Sequence, residues 1–168
     1  MLERFHVPSD EAVYVNRDDM HATVVDIFSK MGMPTDEAEV ASDVLVYADI
    51  RGIETHGVSN MLRNYVKSFG EGEINPTPNP KIVREMPAAA TLDCDGGHGL
   101  VVGPMAMEMA IERAKIYGIG TITANNGRHF GAAAYHAAMA IDHDMIGLAM
   151  TSGGMSVVPV DGSKPMFG

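Results

Sequence analysis

Apolar positions recur at helical spacing over the first third of the chain and in short strand-like runs beyond it. Behind Asn16, a residue type that caps helices, Val24, Val25, Ile27, Phe28 and Met31 make one apolar face. Gly32 ends that helix and Pro34 blocks its continuation. Thr35 then caps a second helix, with Asp36, Glu37 and Glu39 in its first turn, where the helix dipole favours acids. Its stripe is Val40, Val44, Leu45, Ala48 and Ile53, and the short loop between the two helices predicts a hairpin. The segment Arg51 to Val58 breaks the pattern, and a third helix runs from about Val58 to Phe69. Ahead of all three, Val13-Tyr14-Val15 reads as a short strand or extended arm.

Gly70, Gly72, Pro76, Pro78 and Pro80 then forbid regular structure. Beyond them the pattern changes. Lys81–Met86 and Ala90–Cys94 read as strands. A helix opens at Gly103-Pro104, with proline at the tolerated first position, and Gly118 closes it. Next come a strand at Ile119–Ala124, a helix from about Gly131 to Asp142, a strand at Met145–Thr151, and a glycine-rich turn before Val157-Val158. Helices alternating with strands predict an α/β protein in which residues 1–70 form a helical subdomain, 71–80 a linker and 81–168 an α/β portion. Sheet direction does not follow from this pattern.

Composition narrows the classes. Of 168 residues, 46% are hydrophobic and 20% charged, which predicts a packed core rather than disorder. Fourteen Met and no Trp make flexible Met the expected gap filler. The formal charge of −10 argues against nucleic acid or an anionic membrane as partner, while leaving room for a locally positive pocket. No run is long and apolar enough to span a bilayer, and Met1 to Pro8 lack the apolar core of a signal peptide. The single cysteine, Cys94, fits a reducing cytoplasm. Flanked by Asp93 and Asp95, it reads as structural.

Candidate chemistry centres on Asn125-Asn126-Gly127-Arg128-His129-Phe130-Gly131-Ala132-Ala133-Ala134-Tyr135-His136. Here a strand runs into a polar turn that presents His129, with small residues behind it that leave the imidazole approachable. Histidine passes protons near neutral pH. A second group, His56, Asn60 and Arg63, stands at i, i+4 and i+7, and shares one face if the third helix begins early enough. Other motifs fail. The nearest approach to a dinucleotide fingerprint, Gly97-x-Gly99-x-x-x-Gly103, is one residue too long. No Walker lysine, nucleophile elbow or HExxH is present. His129, His136 and His143 are seven apart, about 10 Å of helical rise per step, too far to share one metal ion. Thr151-Ser152-Gly153-Gly154 follows an apolar run and reads either as an anion-binding turn or as an ordinary one.

Three stretches together resemble the malate/L-lactate dehydrogenase family that includes ureidoglycolate and sulfolactate dehydrogenases and is unrelated to the Rossmann lactate dehydrogenases. They are Val44 to Gly57, similar to the family's D-x-R-G-x-x-S-H-G block; Gly118-Ile119-Gly120 through Asn125, His129, Phe130 and Gly131 to Tyr135; and Thr151-Ser152 through Val158-Pro159 to Gly162. The family's chains are about twice as long, so this one resembles an amino-terminal half. The resemblance implies a helical subdomain plus a mixed sheet with flanking helices. It also implies NAD or NADP as cofactor, a small 2-hydroxy or 2-oxo acid as substrate, and a homodimer at full length. His129 matches the family's proton acceptor and His56 the S-H-G histidine, with Thr55 in place of serine. Where many members carry a substrate arginine, this chain has Asn60, and Arg63 is the candidate replacement. Asn60, Arg63 and Asn64 are thus the expected substrate contacts, and Thr151, Ser152 and Gly153 the expected cofactor contacts. The alternative is a non-catalytic dimerising or ligand-binding fragment, with a metal-dependent hydrolase a distant third.

Overall fold

A computed structural model describes residues 7–154 and 157–166. Three helices come first: α1 (Arg17–Lys30), α2 (Thr35–Ile50) and α3 (Val58–Gly70). The Asn16 side chain accepts from the Asp18 and Asp19 amides and so satisfies two donors that a helix start leaves unpaired. Pro34 occupies the cap position of α2, which makes Thr35 the first helical residue rather than the cap. α2 ends at Ile50, so Ile53 falls in the loop instead of extending the helix stripe. Val13 and Tyr14 belong to no strand and are exposed.

After the proline-rich stretch, β1 (Lys81–Met86) turns through Pro87-Ala88 into β2 (Ala89–Asp93), its antiparallel partner. α4 (Gly99–Tyr117) then crosses over to β3 (Thr121–Asn125), which pairs with β2 in parallel. The sheet, in order β1-β2-β3, is therefore mixed. Leu92 and Ile122 face α4 and pack with Cys94, Val102, Met105 and Met109, so Met fills the gap as its abundance predicts. Burial, and next to it the Asp93 charge, pushes the Cys94 thiol up, in keeping with a structural role. A larger apolar cluster joins α1, α2 and α3, through Val24, Phe28, Val44, Leu45 and Tyr65, to Leu100 and Val101 of α4.

Three elements differ from expectation. α4 begins at Gly99 rather than at Gly103-Pro104, because the His98 side chain accepts from the Leu100 amide and starts the helix a turn earlier. Pro104 then sits inside it, where its ring leaves the Leu100 carbonyl without an i+4 donor. The helix expected over Gly131–Asp142 shortens to α5 (Ala133–Ala138), followed by a single 3-10 turn at Ile141–His143. Met145–Thr151 forms no strand, since no described segment supplies a hydrogen-bonding neighbour. Among the described residues no helix is long and apolar enough to cross a membrane.

Candidate active site

Two loops meet over the amino-terminal end of α4. The first joins α2 to α3 and carries Thr55 and His56 in a single 3-10 turn. Its shape is set from below: the Asp49 carboxylate accepts from the Val58 amide at 2.9 Å and caps α3. Gly57 makes this possible, because a Cβ there would overlap that carboxylate. Burial raises the Asp49 pKa, against which the Val58 hydrogen bond acts. The second loop leaves β3 and carries Arg128, His129 and Phe130. The Arg128 amide donates to the Gly97 carbonyl. The loop lies so close on α4 that a Cβ at Gly99 would overlap the Arg128 and His129 carbonyls.

These anchors bring two rings, 73 positions apart in sequence, face to face. His56 and His129 stack at 15° with centroids 5.5 Å apart. Thr55 Oγ1 lies 2.8 Å from His56 Nδ1, so the hydroxyl in place of the family's serine orients the ring. His129 Nδ1 meets two partners. The Gly131 amide points at it from 3.3 Å, and the Tyr65 hydroxyl lies 2.8 Å away. Burial drives the Tyr65 phenol above its usual range, so it keeps its proton. The Gly131 amide can only donate, whereas the Tyr65 hydroxyl can donate to a bare Nδ1 or accept from an Nδ1–H, so Tyr65 serves either tautomer of the neutral ring. Burial, and after it the nearby His56, lowers the His129 pKa.

Beneath them lies His98, 1% exposed, with its ring 4.4 Å from Tyr65 and 5.7 Å from Phe28. Burial lowers its pKa to about 3, with His129 adding to the shift. His136 is also buried, and its Nε2 lies 2.7 Å from the Phe130 carbonyl, which ties α5 to the His129 loop.

The other candidates are placed less centrally. His56 precedes α3 rather than belonging to it, so the i, i+4, i+7 face exists only from Asn60 onward. Asn60 turns back to donate to the Thr55 carbonyl at 2.7 Å, and Asn64 donates to the Asn60 carbonyl at 3.1 Å. Both spend a side-chain donor on the local fold. Arg63 is exposed. Thr151, Ser152 and Gly153 are exposed, and a Cβ on the next residue, Gly154, would meet nothing within 4 Å. A recess of about 520 Å³ beside the site is lined by Glu73, Asn75, Asp95, Asn126 and Arg128, and neither stacked histidine borders it. Among the described residues no three His, Cys, Asp or Glu side chains gather as metal ligands would.

Tyr65 and His98 escape a reading of the sequence. Tyr65 sits on the apolar side of α3 and reads as core. It is core, at 4% exposed, yet its hydroxyl reaches the rim. A polar-tipped aromatic on a buried stripe is the signal that could have singled it out.

A small α/β unit with a histidine pair at the mouth of a crossover helix defines an enzyme-like class, and relatives make it specific. Residues 15–168 match the sequence profile described as Malate/L-lactate dehydrogenase, and the chain belongs to that family. It is 41% identical over its whole length to a malate dehydrogenase of Pyrococcus abyssi, of which it spans 46%. It is 39% identical to an L-sulfolactate dehydrogenase of Methanocaldococcus jannaschii, a match that covers 86% of this chain and 42% of that protein. The solved malate dehydrogenase of Pyrococcus horikoshii OT3 superposes with a TM-score of 0.79 at 38% identity, over 85% of this chain and 40% of that one. The chain thus spans a little under half the length of these relatives.

Proposed function

We propose that the chain is the proton-handling part of a nicotinamide-dependent oxidoreductase that interconverts a small 2-hydroxy acid and its 2-oxo acid. The observation that carries this reading is the stacked pair His56–His129, with Nδ1 of His129 held by Tyr65 and the Gly131 amide. The names of the relatives, malate and sulfolactate dehydrogenase, supply the substrate class. The cofactor of such an enzyme exchanges hydride with substrate C2, and NAD and NADP remain equal candidates. The residues of this chain handle the proton.

With Nδ1 engaged, Nε2 is the His129 nitrogen left for the substrate. In the reductive direction the protonated ring gives its Nε2 proton to the 2-oxo oxygen as that oxygen gains negative charge, and the ring is left neutral with its remaining proton on Nδ1. In the oxidative direction Nε2 must accept the hydroxyl proton. In both directions the Tyr65 oxygen accepts from the Nδ1–H. The lowered pKa keeps His129 neutral, ready for the base role, at neutral pH. His56 supplies a second donor one ring away, and Arg63 with Asn60 and Asn64 forms the side from which a carboxylate is held. Thr151, Ser152 and Gly153 join a cofactor site that residues outside this chain complete.

The test uses the chain extended to the full length of its relatives, assayed with a panel of 2-hydroxy acids and both NAD and NADP. Turnover of at least one acid is expected. His129→Asn is expected to lower kcat by about 10²- to 10⁴-fold while leaving cofactor affinity unchanged. No turnover of any acid, or equal losses in turnover and cofactor affinity, refutes the assignment.

A further inference from the structure

Each residue of the segment Gly97-His98-Gly99 touches the surroundings of His129. The Gly97 carbonyl accepts from the Arg128 amide at 3.1 Å. Gly99 lies so close under the Arg128 and His129 carbonyls that a Cβ would overlap them. The residue between them, His98, buries its ring against Tyr65. The two rings meet edge to face, with centroids 4.4 Å apart and planes at 75°. That contact is closer than those of the same imidazole to Phe28, at 5.7 Å, and to Phe69, at 5.6 Å.

Histidine is a costly residue for this place. Its Nδ1 accepts from the Leu100 amide at 3.2 Å, and an amide can only donate, so the neutral ring carries its proton on Nε2. That nitrogen is buried and meets no hydrogen-bond partner among the described residues. An apolar ring avoids a buried unpaired N–H. It also has no acceptor for the first turn of α4. Phenylalanine would pack on Tyr65 without a hold on the backbone, and asparagine would cap α4 with no ring to lay against Tyr65. Histidine does both.

The position of Tyr65 matters because the two partners of His129 Nδ1 favour different tautomers. The Gly131 amide, 3.3 Å away, can only donate and favours a bare Nδ1. The Tyr65 oxygen, 2.8 Å away, can hold a proton there by accepting it. Hydrogen bonds weaken steeply with lost alignment, so a displaced hydroxyl hands the choice to Gly131.

We propose that His98 is a positioning residue for the proton transfer: anchored through Nδ1 to the start of α4, it clamps the Tyr65 ring so that the Tyr65 oxygen holds the proton on His129 Nδ1 and leaves Nε2 free for the substrate. Both ends of the Tyr65–His129 hydrogen bond are thereby fixed to one backbone segment, Tyr65 through the His98 ring and the His129 loop through Gly97 and Gly99. The clamp rests on the dehydrogenase reading for its kinetic consequence and not for its geometry.

The experiment uses the chain extended to the full length of its relatives, with isotope-labelled histidine. Ring-nitrogen NMR shifts, recorded without substrate or cofactor, report the His129 tautomer. The parent is expected to carry the proton on Nδ1. His98→Asn, which keeps the cap and removes the ring, is expected to shift it to Nε2. Because the shorter side chain can unfold the protein, His98→Phe is measured alongside; it keeps a ring on Tyr65 and is expected to hold the proton on Nδ1 as the parent does. In turnover, His98→Asn and Tyr65→Phe are each expected to lower kcat about tenfold, and the double variant to lower it no further, because one residue acts through the other. An unchanged tautomer in His98→Asn overturns the inference, as does a proton on Nε2 in a folded His98→Phe. So does a double variant whose losses multiply to about 100-fold, the mark of independent roles. Absence of turnover with every acid refutes the dehydrogenase reading, and the tautomer then decides the clamp by itself.

Discussion

His98 gives the structure a calculable response to acid. Its ring is 1% exposed, its Nδ1 accepts the Leu100 amide, and burial holds its pKa at about 3 against an ordinary 6.5. Between these two values the unfolded chain binds a proton at this site and the folded chain does not. Stability therefore rises with pH across the window. The contribution is complete above 6.5 and is lost as the pH falls toward 3. From pH 7 to pH 5 the unfolded ring becomes almost wholly protonated while the folded ring stays neutral, which removes about 2 kcal/mol of stability. The loss is set mainly by the unfolded chain, because pH 5 lies well above the folded value. His129 and His136, whose pKa values burial also lowers, add in the same direction. The measurement is urea unfolding followed by circular dichroism at pH 7 and pH 5. His98→Asn keeps a capping acceptor and cannot titrate, so its drop in stability should be smaller than that of the parent chain by about 2 kcal/mol. Equal drops in the two proteins refute the account, and carboxylates common to both cancel in the comparison.

Two further outcomes concern the site in its full-length setting. Tyr65→Phe removes the hydroxyl at His129 Nδ1 and keeps the packing of the ring. A fall in kcat of about tenfold is expected, from the loss of one hydrogen bond, with a changed pH profile and little change in KM. An unchanged profile makes Tyr65 purely structural. Arg63→Ala should raise KM for the acid by about 10- to 100-fold through loss of a charged hydrogen bond, and steady-state kinetics with an unchanged KM sinks the assignment of Arg63 to the carboxylate.

Much of the scaffold is legible in the residues, because the devices that set it are local. Asn16, Gly32 with Pro34, and the acids behind Thr35 bound α1 and α2 from neighbouring positions alone. The start of α4 is not legible, because a histidine side chain fills the capping place and the apolar run Leu100-Val101-Val102 carries no helical period. Met145–Thr151 misleads for a different reason. Its pattern is that of a strand, but a strand exists only as part of a ladder, and no described segment pairs with it. The two histidines stand out through their small-residue and glycine surroundings. Their stacking does not, since nothing at position 56 encodes a neighbour at position 129. That contact is made by the Asp49 cap under one loop and the Gly99 approach under the other.

Phe28 lies on α1, in the part of the chain most remote in sequence from His129. Its ring is nevertheless within 6.4 Å of Tyr65 and 5.7 Å of His98. Tyr65 in turn holds His129. The first helix is thus the footing of an aromatic column that ends at the His129 imidazole. In genetic terms, inactivating substitutions in this protein need not cluster around its histidines. A residue that never meets substrate, in a helix that reads as plain scaffold, belongs to the heritable definition of the site.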